Sequence, residues 1–132
     1  MSPELLHPER FGIPESEGDR PTKQSDCYAL GMVIYEVGPH TNWSVVAKAQ
    51  IPQVLCGHHP YLEFQSDILA ANAIMVGARP KKPKAGKRLG FSDELWRTVE
   101  MCWSEDRDMR PRVAVILSCL NTAAWTWCMR EF

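Results

Sequence analysis

No stretch of this sequence is apolar for long enough to cross a bilayer, which takes about 18 residues or more. The longest candidate, Tyr28 to Val37, is short and carries Glu36. No C-x-x-C pair occurs, and the cysteines are odd in number, five in all (Cys27, Cys56, Cys102, Cys119 and Cys128). With no signal peptide in view, that pattern reads as reduced thiols in an intracellular, cytoplasmic protein rather than a secreted disulfide framework. Neither charge sign dominates: 15 Lys and Arg stand against 16 Asp and Glu, a net charge of −1, so bulk charge points to no nucleic acid and no membrane surface. No internal repeat is present. What the chain does have is 45% apolar residues over 132 positions, enough for one small domain with a core.

Punctuation along the chain predicts helices. Pro3, Pro8, Pro14 and Pro21, with the cluster from Glu15 to Asp19, limit the opening to a short turn over Pro3 to Glu9 and then a surface loop. "TKQSDCYALGMVIYEV" predicts a helix whose first N–H groups Thr22 or Ser25 can cap, with Asp26 at its positive start. Cys27, Tyr28, Ala29, Leu30, Met32, Val33, Ile34 and Tyr35 make it apolar nearly all round, as in an interior helix with neighbours on several sides.

Residues 38–53 fit no template, and "VLCGHHPYLEF" reads as a turn and an extended stretch. "QSDILAANAIMVG" predicts a helix from near Ser66 that stops at Gly77. "ARPKKPKAGKRLG" is a loop. Ser92 caps "DELWRTVEMCW", where Leu95, Val99 and Cys102 or Trp103 recur at helical spacing. After the polar turn "SEDRDM", Pro111 suits the first position of a last helix from about Arg112 to Ala124. That helix puts Val113, Ile116, Leu117 and Leu120 on one face, and the tail "WTWCMREF", residues 125–132, reads as loose. The fold class is all-α.

These pieces, in this order, resemble the second half of the large lobe of a eukaryotic protein kinase. "SPELL" resembles the A-P-E segment that closes the activation segment, with Ser2 in place of alanine. "SDCYALGMVIYEV" resembles the central buried helix of that lobe, with Asp26, Tyr28, Ala29 and Gly31 at the matching positions. "GARPKKP" resembles the link after the next helix. "ELWRTVEMCWSEDRDMRP" resembles the C-W-x(6)-R-P signature through Cys102, Trp103, Arg110 and Pro111, a form commonest in tyrosine kinases and tyrosine-kinase-like Ser/Thr kinases. The resemblance covers residues 1–37 and 54–122, so residues 1–124 form a partial, incomplete C-lobe.

The resemblance implies that Glu4 pairs with Arg110, fixing the substrate-receiving segment to the helical base by a two-pronged, charge-assisted fork. It also implies that Asp26 positions the catalytic loop, although the residue can equally serve its own helix start. Gly31 and Trp103 are implied as structural positions of the same base.

Phosphoryl transfer in that family needs a Gly-rich loop, a strand lysine, the H-R-D aspartate and the D-F-G aspartate. None occurs in these 132 residues. The expectation is therefore no catalytic, cofactor or metal site in this chain; ATP and Mg belong to the complete family domain. Residues 37–53 have no family counterpart. Without them the chain reads "IYEVLCGHHPYLEF", and the removed piece opens with a valine codon (GT) and closes with a glutamine codon that can be CAG. A retained intron and an ordinary loop insertion both fit.

Other groups read blandly. Cys56, His58 and His59 lack the second ligand cluster that zinc needs, and His7 and His40 stand alone. Arg79, Lys81, Lys82, Lys84, Lys87 and Arg88 contain no aromatic for base stacking and read as a solvated inter-helix loop. Trp96, Trp103, Trp125 and Trp127 read as core or packing residues. Three functions follow: a piece of a protein kinase that is inactive alone, a non-catalytic protein-interaction module, or a nonfunctional gene remnant. Expected partners are other proteins, with self-association through apolar surface left open on the central helix.

Overall fold

The computed structural model describes residues 1–18, 20–37, 61, 64–82 and 92–129. Residues 38–53 of the expected insertion, the Cys56/His58/His59 turn, His40 and the basic run beyond Lys82 lie outside these residues, while Val37, the first residue of that insertion, ends a helix. The described elements are α1 (Pro3–Leu6), a 3-10 turn (Pro8–Phe11), α2 (Glu15–Gly18), α3 (Lys23–Val37), α4 (Asp67–Met75), α5 (Asp93–Cys102), a second 3-10 turn (Arg107–Met109) and α6 (Val113–Cys128). Among the described residues the fold is all-α, without a strand.

Local chemistry sets the helix ends. At the start of α3, the Thr22 Oγ1 accepts from the Ser25 N–H (3.1 Å) while the Ser25 Oγ accepts from the Thr22 N–H (2.7 Å). Two free donors are thus satisfied reciprocally, as in a capping box with serine in the usual Glu place. Ser66 and Ser92 cap α4 and α5 by accepting from Leu69 and Leu95. α4 closes on Gly77, whose φ of +90° lets the Ala78 N–H reach the Ala73 carbonyl and its own N–H reach that of Ile74. That is the Schellman geometry, which satisfies carbonyls a helix end leaves bare.

The core forms where α3 meets α5, with α6 laid against α5. It contains Cys27, Tyr28, Ile34, Tyr35, Leu95, Trp96, Val99, Cys102, Trp103, Ile116 and Ala123. Tyr35, Trp96 and Trp103 form an aromatic triangle with centroids 5.9 to 6.2 Å apart, in tilted and edge-on contacts that such rings favour.

Several sequence expectations shift. The opening loop holds two further helical turns, Pro8–Phe11 and Glu15–Gly18. α3 is not covered on all sides: Ala29 and Val33 are exposed, and they sit one turn apart on the face away from α5. α6 starts at Val113, after Pro111, and runs to Cys128, so Trp125 is helical rather than in a loose tail. It packs through Ile116 and Ala123, with Cys119 and Leu120 beside them, which turns Val113, Leu117 and Trp125 outward. A 100° step per residue separates Ile116 from Leu117, so both cannot face α5.

Candidate functional site: a buried arginine clamp

α1 and the segment between the second 3-10 turn and α6 lie at opposite ends of the chain, yet they share one buried site. Arg110 Nη1 donates to Glu4 Oε1 at 2.6 Å and Nη2 donates to Oε2 at 3.0 Å, across 106 residues of sequence. The two side chains are 0% and 2% exposed. Nη1 also donates to the Gln24 carbonyl at 2.9 Å, and Nε donates to the Ser104 carbonyl at 3.0 Å. One guanidinium therefore joins α1, the first turn of α3 and the end of α5. Each prong is a charge-assisted bond in the planar geometry that suits guanidinium and carboxylate.

Burial pushes the Glu4 carboxyl up, but the Arg110 hydrogen bonds and charge, with a hydrogen bond from its own backbone, more than reverse this and hold it below its ordinary range. The carboxylate is thus the charged partner that a buried guanidinium needs.

Two cations lie over the Tyr28 ring. The Arg110 Cζ is 5.2 Å from the centre of that ring and the Arg79 Cζ is 5.5 Å away, both within cation–π range. Burial pushes the phenol up, so the ring stays neutral. Arg79 was expected in a solvated loop; it is half-buried and structural instead. Its Nε donates to the Trp103 carbonyl (2.8 Å), and its Nη1 donates to those of Ile74 (3.1 Å) and Ala78 (2.8 Å). It thus neutralises the negative C-terminal ends of α4 and α5 together. An arginine just beyond a C-cap glycine is the signal that could have marked it.

Gly31 and Trp103 meet directly. A Cβ on Gly31 would lie 2.7 Å from both the Trp103 Nε1 and the Cys102 Cβ, so only glycine permits this approach of α3 and α5. Asp26 is exposed in the first turn of α3, and among the described residues its side chain has no hydrogen-bond partner. It does not join the clamp. His7 is exposed at the end of α1. A cleft of about 430 Å³ opens beside Glu4 and is lined by Leu5, Ile13, Pro14, Glu17, Arg20 and Arg107 among others, a wall of mixed charge. Among the described residues no group of His, Cys, Asp and Glu side chains could hold a metal ion, and no helix is long and apolar enough to cross a membrane.

The site is thus a device for holding elements together, and comparison with known proteins puts it beside protein kinases. The chain is 29% identical over 109 residues to the human proto-oncogene tyrosine-protein kinase ROS, covering 82% of this chain and 4% of the relative. The mouse protein of the same name matches at 28% over the same span. A probable serine/threonine-protein kinase of Dictyostelium discoideum is 28% identical over 121 residues, which is 92% of this chain and 10% of the relative. No family model and no solved structure matches. The chain spans between 4% and 10% of the length of these relatives, and over most of its own length it is similar to these protein kinases.

Proposed function

We propose that this chain is the C-terminal part of the large lobe of a protein-kinase-like domain of the tyrosine-kinase-like group, and that it forms the base on which a substrate-receiving segment is fixed. The observation that carries this reading is the buried Glu4–Arg110 fork, which ties the segment resembling A-P-E to the segment resembling R-P. The complete domain transfers the γ-phosphoryl group of ATP to protein. These 132 residues contain none of the sequences that grip ATP or magnesium, so this chain alone transfers no phosphoryl group and needs no cofactor. The odd cysteine count with no C-x-x-C pair supports a reducing, cytoplasmic setting.

Two measurements test the reading. The genomic sequence 5′ of the Met1 codon is expected to encode H-R-D and D-F-G segments in frame, and an uninterrupted non-coding sequence there argues against a fragment of a longer kinase. Turnover of ATP onto a generic protein substrate by the purified chain would refute the claim of inactivity.

A non-catalytic interaction module is the second reading. It is favoured by the exposed Ala29 and Val33 on α3 and the exposed Val113, Leu117 and Trp125 on the uncharged helix α6. Apolar area of this kind marks contact surfaces and drives self-association. Sedimentation is expected to show oligomers at micromolar concentration; a cooperatively melting monomer would count against it.

A further inference from the structure

Two buried thiols are not used by the clamp, and they belong to the same junction. Cys27, in the first turns of α3, is 2% exposed, and Cys102, the last residue of α5, is 0% exposed. Cys102 packs over the turn that follows Cys27: its Cβ lies 2.7 Å from where a Cβ on Gly31, four residues further along α3, would be. The absent side chain of Gly31 is what lets α5 approach so closely. The Cys27 Sγ–H donates to the Pro111 carbonyl at 3.2 Å, just ahead of α6. Burial pushes both thiols up, and each feels the charge or hydrogen bond of the other. Cys119 is set apart, half-buried on α6 and accepting from the Thr98 hydroxyl at 3.4 Å.

We infer that Cys27 and Cys102 are a latent redox pair, joined on oxidation into a disulfide that staples α3 to the end of α5. With hydrogen peroxide as oxidant, one sulfur loses its proton and attacks a peroxide oxygen. The O–O bond breaks, water leaves, and a sulfenic acid remains. The second sulfur then attacks the sulfenic sulfur; the S–O bond breaks, the S–S bond forms, and the second thiol's proton leaves with the hydroxide as water. Two thiols and one peroxide thus become one disulfide and two waters. Because protonated, buried thiols are poor nucleophiles, the reaction is slow and passes through local opening of the α5 end. Forming the bond withdraws the Cys27 donor from the Pro111 carbonyl, so the start of α6 responds. This inference stands on the α3–α5 junction and is independent of the kinase reading.

The test uses the full chain, purified reduced, exposed to graded hydrogen peroxide, alkylated and mapped by peptide mass spectrometry. The folded chain is expected to yield a Cys27–Cys102 cross-linked peptide as its main product, about 2 Da lighter than the free pair. The same treatment in urea is expected to scatter the bonds among the five cysteines. Cys119→Ser leaves the native product in place, and Cys27→Ser abolishes it. Should Cys27→Ser fail to fold, the wild-type map alone decides. Native oxidation that leaves Cys27 and Cys102 open to alkylation, or that pairs either with another cysteine, overturns the proposal.

Discussion

Arg110 and Arg10 each face a glutamate, and burial separates the two pairs. Arg110 meets Glu4 with both prongs, and the side chains are 0% and 2% exposed. Arg10 approaches Glu105 with one nitrogen at 3.8 Å, and those side chains are 50% and 62% exposed. At about 4 Å in water two unit charges gain only ~1 kcal/mol, which the entropy of holding two long side chains offsets. In the interior the attraction is far larger, but so is the penalty for leaving either charge alone. The buried pair therefore acts as a constraint on which elements meet, whereas the exposed pair decorates a meeting made by other contacts. The Arg10 Nη1, which donates to the Met75 carbonyl at 2.6 Å, contributes more to its own region than its ion pair does.

The largest effect should come from breaking the buried pair on one side. Arg110→Ala strands the Glu4 carboxylate and is expected to destabilise the chain by about 3–5 kcal/mol in urea unfolding. Arg110→Lys should recover only a part, because a single ammonium cannot serve Glu4, Gln24 and Ser104 in one plane. Removing both charges with Glu4→Leu and Arg110→Met should be milder than either charge-stranding change. If the double variant is as unstable as Arg110→Ala, the pair is not the source of the constraint.

Protons can weaken the same clamp without altering Arg110. In the folded chain the Glu4 carboxyl is held below its ordinary range. Its contribution is therefore fully present above the unfolded carboxyl pKa, near ~4.3, and is lost as pH falls through the lowered folded value. Urea midpoints of wild type and Glu4→Gln, measured from pH 7 down to pH 2, should converge on the acid side. A gap of constant size over that range would contradict the charged state assigned to Glu4.

Arg79 sharpens the comparison from the middle, being half-buried and bonded to carbonyls rather than to an acid. Arg79→Met removes donors from Trp103, Ile74 and Ala78 and one of the two cations over the Tyr28 ring, and should cost about 2 kcal/mol. Gly31→Ala tests the junction beneath it. Alanine favours a helix over glycine by about 1 kcal/mol, but overpacking against Trp103 and Cys102 costs about 1–3 kcal/mol. A net loss of about 1 kcal/mol is expected, and a gain would mean that α3 and α5 can move apart freely.

Much of this is legible in the sequence, for reasons that differ by element. Ser66, Ser92 and Gly77 carry local signals, since a hydroxyl at an N-cap and a left-handed glycine at a helix end act on their own neighbours. The meeting of Glu4 with Arg110 is long-range, and spacing alone could not pair them; the family pattern supplied it. What stayed hidden follows the same division. Arg79 sits in a run of cations that composition reads as solvated, and only the position of α5 brings the Trp103 carbonyl to it. Val113 and Leu117 look as buried as Ile116 in sequence. An uncharged helix offers no polar stripe to say which side faces out, so the choice falls to the shape of α5.

The smallest expected effect returns to the rim. Glu105→Gln removes the charge opposite Arg10 while keeping the side chain's size, and it leaves the Arg10 bond to Met75 untouched. The pair is long, single-pronged and more than half exposed on the glutamate side, so screening and side-chain freedom should hold the change below about 0.5 kcal/mol. Raising the salt concentration should shrink it further, and the Arg110 variants should scarcely respond to the same salt because their pair is shielded from ions. A Glu105→Gln loss of the size seen for Arg110→Ala would mean that exposure is not what separates the two pairs, and the contrast between constraint and decoration would have to be abandoned.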